Sequence, residues 1–137
     1  TITRPEQVQV YESIMVDPDD GVTTGLLTAV RYAKDNRILP RGFDRDTASA
    51  DVAVRGAARA DDDFAAGSDR VRYVVDAGTA PAPFTVEAEL WYQPIAFRWA
   101  LNLAAYEAPE TRRFVRYYEE MSDQASVRLA AASVSTP

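Results

Sequence analysis

Hydrophobic and polar positions alternate with a period of two through much of this chain, the pattern of strands that bury one face. Residues 7–16 set Val8 and Val10 against Gln9 and Tyr11 and run on through Ile14 to Val16, which predicts a first strand. Asp17-Pro18-Asp19-Asp20-Gly21 predicts a tight turn, because Pro presets φ, Asp bonds its own backbone and Gly accepts positive φ. Residues 22–33 read two ways. Val22, Thr24, Leu26, Thr28, Val30 and Tyr32 alternate as a strand, whereas Leu26, Leu27, Val30 and Ala33 fit one helix face. The Val22-Thr23-Thr24 start and the preceding turn favour the strand.

Residues 34–49 read as a loop whose Ile38, Leu39 and Phe43 predict that it packs onto the body, with Pro40 holding Leu39 extended. A weak strand is expected over 50–59, around Val52 and Val54. Val71, Tyr73 and Val75 predict a strand over 70–76, and Gly78 to Pro83 a turn. The longest alternation covers 84–95, with Phe84, Val86, Ala88, Leu90 and Tyr92 opposite Thr85, Glu87 and Glu89; Trp91 falls out of pattern. The pair 70–76 and 84–95 predicts an antiparallel hairpin with one wet face. Residues 96–108 carry Phe97, Trp99, Leu101, Leu103 and Tyr106 without a readable period. Over 109–122 the period changes: Phe114, Tyr117, Tyr118 and Met121 recur at helical spacing behind Pro109 and Glu110. Residues 125–134 alternate through Val127, Leu129 and Ala131 as a last strand, with an Ala-rich helix as the rival. The expected fold is mainly β: one domain over 1–137, an antiparallel β-sandwich of immunoglobulin-like or jelly-roll-like kind with one helix near the C-terminus.

Composition narrows the chemistry. The 137 residues include 47% hydrophobic and 26% charged positions, enough for a core without disulfides. The absence of Cys and His removes Ser-His triads, Cys nucleophiles and the usual zinc ligand sets. A net charge of −6 argues against nucleic acid as a partner. No apolar run approaches the ~20 residues that span a bilayer, so no direct membrane insertion is expected. The abrupt Thr1-Ile2-Thr3-Arg4-Pro5 opening reads as a piece cut from a longer protein.

Five clusters are candidate sites, each with a structural counterpart. Asp17, Asp19 and Asp20 offer the oxygens that Ca²⁺ takes, but the fifth and twelfth positions of an EF-hand loop fall on Gly21 and Thr28, so a solvated turn is the stronger reading. Asp61, Asp62 and Asp63 carry the same two readings. Glu87 and Glu89 lie about 7 Å apart on one strand face, a spacing open to glycoside hydrolysis, although ion pairing with Arg70 and Arg72 across the hairpin fits better. Trp91, Tyr92, Phe97 and Trp99 either stack on sugar rings or form a core with Phe114, Tyr117 and Tyr118. Arg112, Arg113 and Arg116 form a basic helix face, balanced by Glu119 and Glu120.

Short blocks in fixed order complete the picture. They are Val10-Tyr11-Glu12, Gly25-Leu26-Leu27, Lys34-Asp35-Asn36-Arg37-Ile38-Leu39-Pro40-Arg41-Gly42-Phe43-Asp44 and Asp69-Arg70-Val71-Arg72-Tyr73, then Glu89-Leu90-Trp91-Tyr92-Gln93-Pro94-Ile95, Arg98-Trp99-Ala100-Leu101-Asn102-Leu103 and Arg113-Phe114-Val115. Over nearly the whole chain they resemble the non-haem C-terminal domain of bacterial multihaem cytochrome c-like proteins. The resemblance implies an exported, periplasmic parent whose upstream part carries haem on Cys-x-x-Cys-His motifs. It assigns no haem ligand here, since there is no His, and Met15 and Met121 do not hold a haem in the usual way. It implies a non-catalytic accessory domain that packs on the haem-bearing part or docks a redox partner. Lys34, Arg37, Arg41, Phe43, Trp91 and Trp99 are the expected contacts; in the Lys34–Arg37 tetrapeptide, Asp35 and Asn36 equally fit a turn-fixing role. The alternative is a free-standing carbohydrate- or calcium-linked binding module.

Overall fold

A computed structural model describes residues 7–136. The chain divides into two compact units, Thr1–Val74 and Val75–Pro137.

In the first unit, β1 (Ser13–Val16), β2 (Val22–Thr23) and β3 (Arg31–Asp35) form an antiparallel sheet in the order β2-β1-β3. The predicted Asp-Pro-Asp-Asp-Gly turn joins β1 to β2. Asp17 N–H donates to Gly21 O (2.9 Å), Asp17 Oδ1 accepts from the Asp19 and Gly21 amides, and Asp20 takes the left-handed φ of 63°. The strand expected over 22–33 is instead two. Around Gly25 the chain folds back, with Thr28 and Ala29 amides on Gly25 O and the Thr28 hydroxyl on the same carbonyl. Pairing with β1 resumes when Val30 N–H reaches Val16 O (2.9 Å). β3 then takes in Lys34 and Asp35, so the loop starts two residues later than the sequence predicts.

Residues 7–12 lie outside regular structure apart from a short turn at the start, and side chains anchor the stretch leading into β1. Asn36, 4% exposed, accepts the Glu12 amide on Oδ1 (3.0 Å), donates Nδ2 to Val10 O (3.1 Å) and gives its own N–H to Glu12 O (3.2 Å). Lys34 Nζ donates to the same Val10 O (2.8 Å) and to Glu12 Oε1 (3.2 Å). Asp35, 5% exposed, exchanges both backbone hydrogen bonds with Arg55 and holds the Arg37 guanidinium bidentately, at 2.9 and 2.6 Å. Next to this polar clasp sits a small core of Leu39, Val54 and Phe64, with Tyr11, Phe43 and Ala58 against it. The loop after β3 therefore packs down through Leu39 and Phe43 as predicted, whereas Ile38 stays exposed.

The weak strand expected over 50–59 is absent. Only Arg55 pairs, in its isolated bridge to Asp35. Gly56 then turns the backbone at φ 74° into a 3-10 helix, Gly56–Ala60. Val54 is apolar because it enters the core, and Val52 closes a turn onto Ser49 O.

The second unit holds β4 (Thr85–Tyr92), α1 (Phe97–Ala104), α2 (Pro109–Ala125) and β5 (Val127–Ser135). β4 and β5 form a two-stranded antiparallel ribbon, and residues 70–76 form no strand, so the expected 70–76/84–95 hairpin gives way to a β4–β5 pair. Register supplies the reason. Val86, Ala88 and Leu90 face Val134, Ala132 and Ala130, while Thr85 and Glu87 face Ser135 and Ser133. β5 thus matches like to like in six of its eight pairs, Glu89 opposite Ala131 and Trp91 opposite Arg128 being the exceptions, and cross-strand matching is what stabilises a ladder. The register shifts between Leu90 and Trp91, which faces Arg128, so Leu129 is the extra residue of a bulge. The strand reading of 125–134 holds over its Ala-rich rival.

The expected single helix is two. Phe97–Ala104, where no period was legible, is α1, with Ala100 its one buried residue. α2 starts at Pro109 as predicted and runs three residues beyond the predicted end. Its half-buried stripe is Thr111, Phe114, Val115, Tyr118 and Ser122, leaving Tyr117 and Met121 about half exposed. Among the described residues, no helix is long and apolar enough to cross a membrane.

Asn36→Ala strips both side-chain anchors of the 10–12 stretch, leaving the half-buried Glu12 amide without its Asn36 acceptor and the Val10 carbonyl with Lys34 alone. A loss of about 2–4 kcal/mol follows from the cost of unsatisfied buried groups, read by urea denaturation. Asn36→Asp, which keeps the acceptor for Glu12 N–H, is expected to lose less.

Candidate functional site

Of the residues expected to touch a partner, three on the loop side are engaged within their own unit. Lys34 is held by Val10 and Glu12, Arg37 by Asp35, and Phe43 by the Leu39–Val54–Phe64 core. The hydrogen bonds to the Asp35 carboxylate raise the Arg37 guanidinium above its ordinary pKa, so Arg37 stays charged at any working pH. Arg41 is exposed and lies against Gly67, where a Cβ would come within 2.8 Å of Arg41 Cγ. Within the Lys34–Arg37 tetrapeptide, Asp35 bonds locally to Arg37, whereas Lys34 and Asn36 hold the distant 10–12 stretch and not a turn of their own.

Asp17, Asp19 and Asp20 stay on their exposed turn: Asp17 caps the turn amides and Asp20 pairs with Arg31. The carboxylates the fold does bring together are Asp61, Asp63 and Asp69, with one oxygen of each within 4.8 Å of the others. Backbone bonds shape this group, since Asp63 N–H donates to Asp61 Oδ1 and Arg70 N–H to Asp63 Oδ1. Asp69 Oδ2 accepts from the Tyr11 hydroxyl at 2.6 Å, and its Oδ1 is buried with no hydrogen-bond partner among the described residues. Burial first, then the Asp69 hydrogen bond and charge, push the Tyr11 hydroxyl well above its ordinary pKa, so it remains a donor at any working pH. The sequence shows Tyr11 and Asp69 only as members of separate blocks 58 residues apart, and no local pattern joins them.

On the β4–β5 ribbon, Glu89 is the hub of the polar face. Its Oε1 accepts from Arg128 Nη1 (2.8 Å) and its Oε2 from Trp91 Nε1 (2.9 Å). The cross-strand arginine is therefore Arg128 and not the expected Arg70 or Arg72, because the ladder partner is β5. The same bond places Trp91, whose indole N–H needs a partner, on the polar face. Arg128 first, then Trp91, hold the Glu89 carboxyl below the usual range, which favours an ionised pairing group over a general acid.

Trp91, Tyr92, Phe97 and Trp99 are all exposed, between 44% and 53%, and so form no core under α2. Other apolar side chains of this unit are uncovered as well. The ribbon face of Val86, Leu90 and Val134 is open, and Leu101 of α1 is 65% exposed. Ala100 is the only hydrophobic residue buried among the described residues of this unit.

Tyr11→Phe leaves Asp69 with neither oxygen bonded within the first unit, and a loss of about 1–3 kcal/mol is expected by urea denaturation. Because the folded pKa of Tyr11 is raised, its contribution is complete below the ordinary tyrosine pKa and declines as pH climbs above it. The wild type's excess stability over Tyr11→Phe should therefore shrink only on the alkaline side. Glu89 shifts the other way: its ion pair persists above the ordinary carboxyl range and is lost as pH falls through the lowered value. In Arg128→Gln, carboxyl-carbon NMR should show the Glu89 titration moved up toward the ordinary glutamate range.

No family model, no curated protein and no solved structure matches this chain.

Proposed function

We propose that the chain is a non-catalytic interaction domain of an exported multihaem cytochrome-like protein. In this reading the Val75–Pro137 unit packs on the haem-bearing part of the same polypeptide or docks a redox partner protein. The observation behind it is the uncovered apolar face of the β4–β5 ribbon, where Val86 is 52% and Val134 62% exposed. Fully burying an aliphatic side chain contributes about 1.5–3 kcal/mol, and two strands alone are marginal in water. A ribbon with one apolar face gains from a protein surface laid over it. Each strand also has one unpaired edge, open to a further strand. The antiparallel sandwich expected from the sequence belongs to the same proposal, since it needs a second sheet against this face. The cytochrome context rests on the sequence blocks alone, and the absence of a catalytic role on the engagement of Glu89 by Arg128 and Trp91.

The test is the full-length native gene product. Intact mass, visible absorption and a haemochrome spectrum are expected to show covalent haem on a larger polypeptide. Hydrogen exchange at Thr85–Tyr92 and Val127–Ser135 should be at least about tenfold slower there than in the isolated chain, because a covering surface suppresses local opening. A haem-free product sinks the cytochrome context and gives the lead to the carbohydrate- or calcium-linked module. Unchanged exchange removes the ribbon as the docking face.

A further inference from the structure

The chain is acidic overall, yet one cleft of the first unit is walled by arginines. Arg45 folds inward and donates Nη1 to Asp61 O (2.7 Å) and Phe64 O (2.5 Å), and Nη2 to Arg59 O (2.6 Å). Arg55 is fixed at both ends, by its backbone bridge to Asp35 and by Nη2 on Ala50 O (2.8 Å). With Arg59 these side chains border a cleft of about 330 Å³ whose one carboxylate is Asp46, over a floor of alanines.

Two features make the cleft more than a solvated surface. Among the described residues, none of its three arginines is in an ion pair, although Arg31, Arg37, Arg112 and Arg128 each have one. The neutral partners of Arg45 and Arg55 are backbone carbonyls, which hold those two guanidinium groups in place without cancelling their charge. Each guanidinium also keeps spare donors. Of its five N–H groups, Arg45 uses three, Arg55 one and the Arg59 side chain none in the bonds formed within the chain. Like-charged guanidinium groups bordering one cleft repel one another, and a planar or tetrahedral oxyanion both relieves the repulsion and takes up the spare donors in forked pairs.

We propose that this cleft binds the oxyanion group of a small carboxylate- or phosphate-bearing molecule, with Arg55 and Arg59 as its principal donors and Arg45 as the fixed charge behind them. The site lies in the Thr1–Val74 unit and stands independently of the docking surface proposed above. Asp46 opposes the ligand and limits its affinity.

The whole chain is titrated with pyrophosphate and, separately, with citrate, against sodium chloride at matched ionic strength. Affinity is read by calorimetry and by the rise in melting temperature that ligand binding to the native state produces. Saturable binding of either anion is expected, and which one binds identifies the phosphate or the carboxylate source. Arg59→Gln should weaken binding at least tenfold and leave the ligand-free melting temperature unchanged, since its side chain makes no hydrogen bond among the described residues. Asp46→Asn should tighten binding several-fold. No saturable binding of either anion up to about 10 mM, a concentration at which even millimolar affinity shifts melting, overturns the proposal. Binding that Arg59→Gln leaves intact overturns it as well.

Discussion

The first unit depends on a buried polar residue. Asn36 satisfies a donor and an acceptor of the 10–12 stretch with one side chain, at a place where that stretch has no strand partner to do so. A buried backbone amide or carbonyl without a partner costs more than most single contacts contribute, so the position of this stretch follows from Asn36. Lys34 and Asp35 extend the same hold, Lys34 onto Val10 and Glu12, Asp35 onto Arg37 and Arg55. Around these bonds a core of three buried side chains suffices.

That polar hold also sets the geometry of the arginine cleft. The Asp35–Arg55 bridge fixes one wall, and the carbonyls of Asp61, Phe64 and Arg59 fix the other through Arg45. The loops between residues 45 and 64 have little regular structure, and side chain-to-backbone bonds replace a ladder there. Placement of charge without a secondary-structure scaffold is the result, and it is the physical basis of the proposed anion site.

The second unit has the opposite balance. Its ribbon is well paired and sorted into a polar and an apolar face, and its helices pack on one another, yet only Ala100 is buried among its described hydrophobic residues. Local order is complete where burial is not. A unit with that balance is suited to finishing its core against another surface, whereas the first unit closes its own.

Several features were legible in the sequence because their causes are local. The Asp17–Gly21 turn follows from Pro, Asp and Gly chemistry within five residues. Helix α2 follows from a helical period behind Pro109, and β4 and β5 from alternation. The exclusion of His- and Cys-based chemistry needs composition alone. Only the tertiary structure decided which strand β4 pairs with, that Val54 serves a core and no strand, and that Tyr11 reaches Asp69. It likewise decided that Trp91 belongs with Glu89 and Arg128, and that three arginines border one cleft. Alternation records that a segment has two unlike faces, and a charged residue records only its charge. What covers a face and what meets a charge are settled by contacts between residues far apart in the chain, which no local pattern encodes.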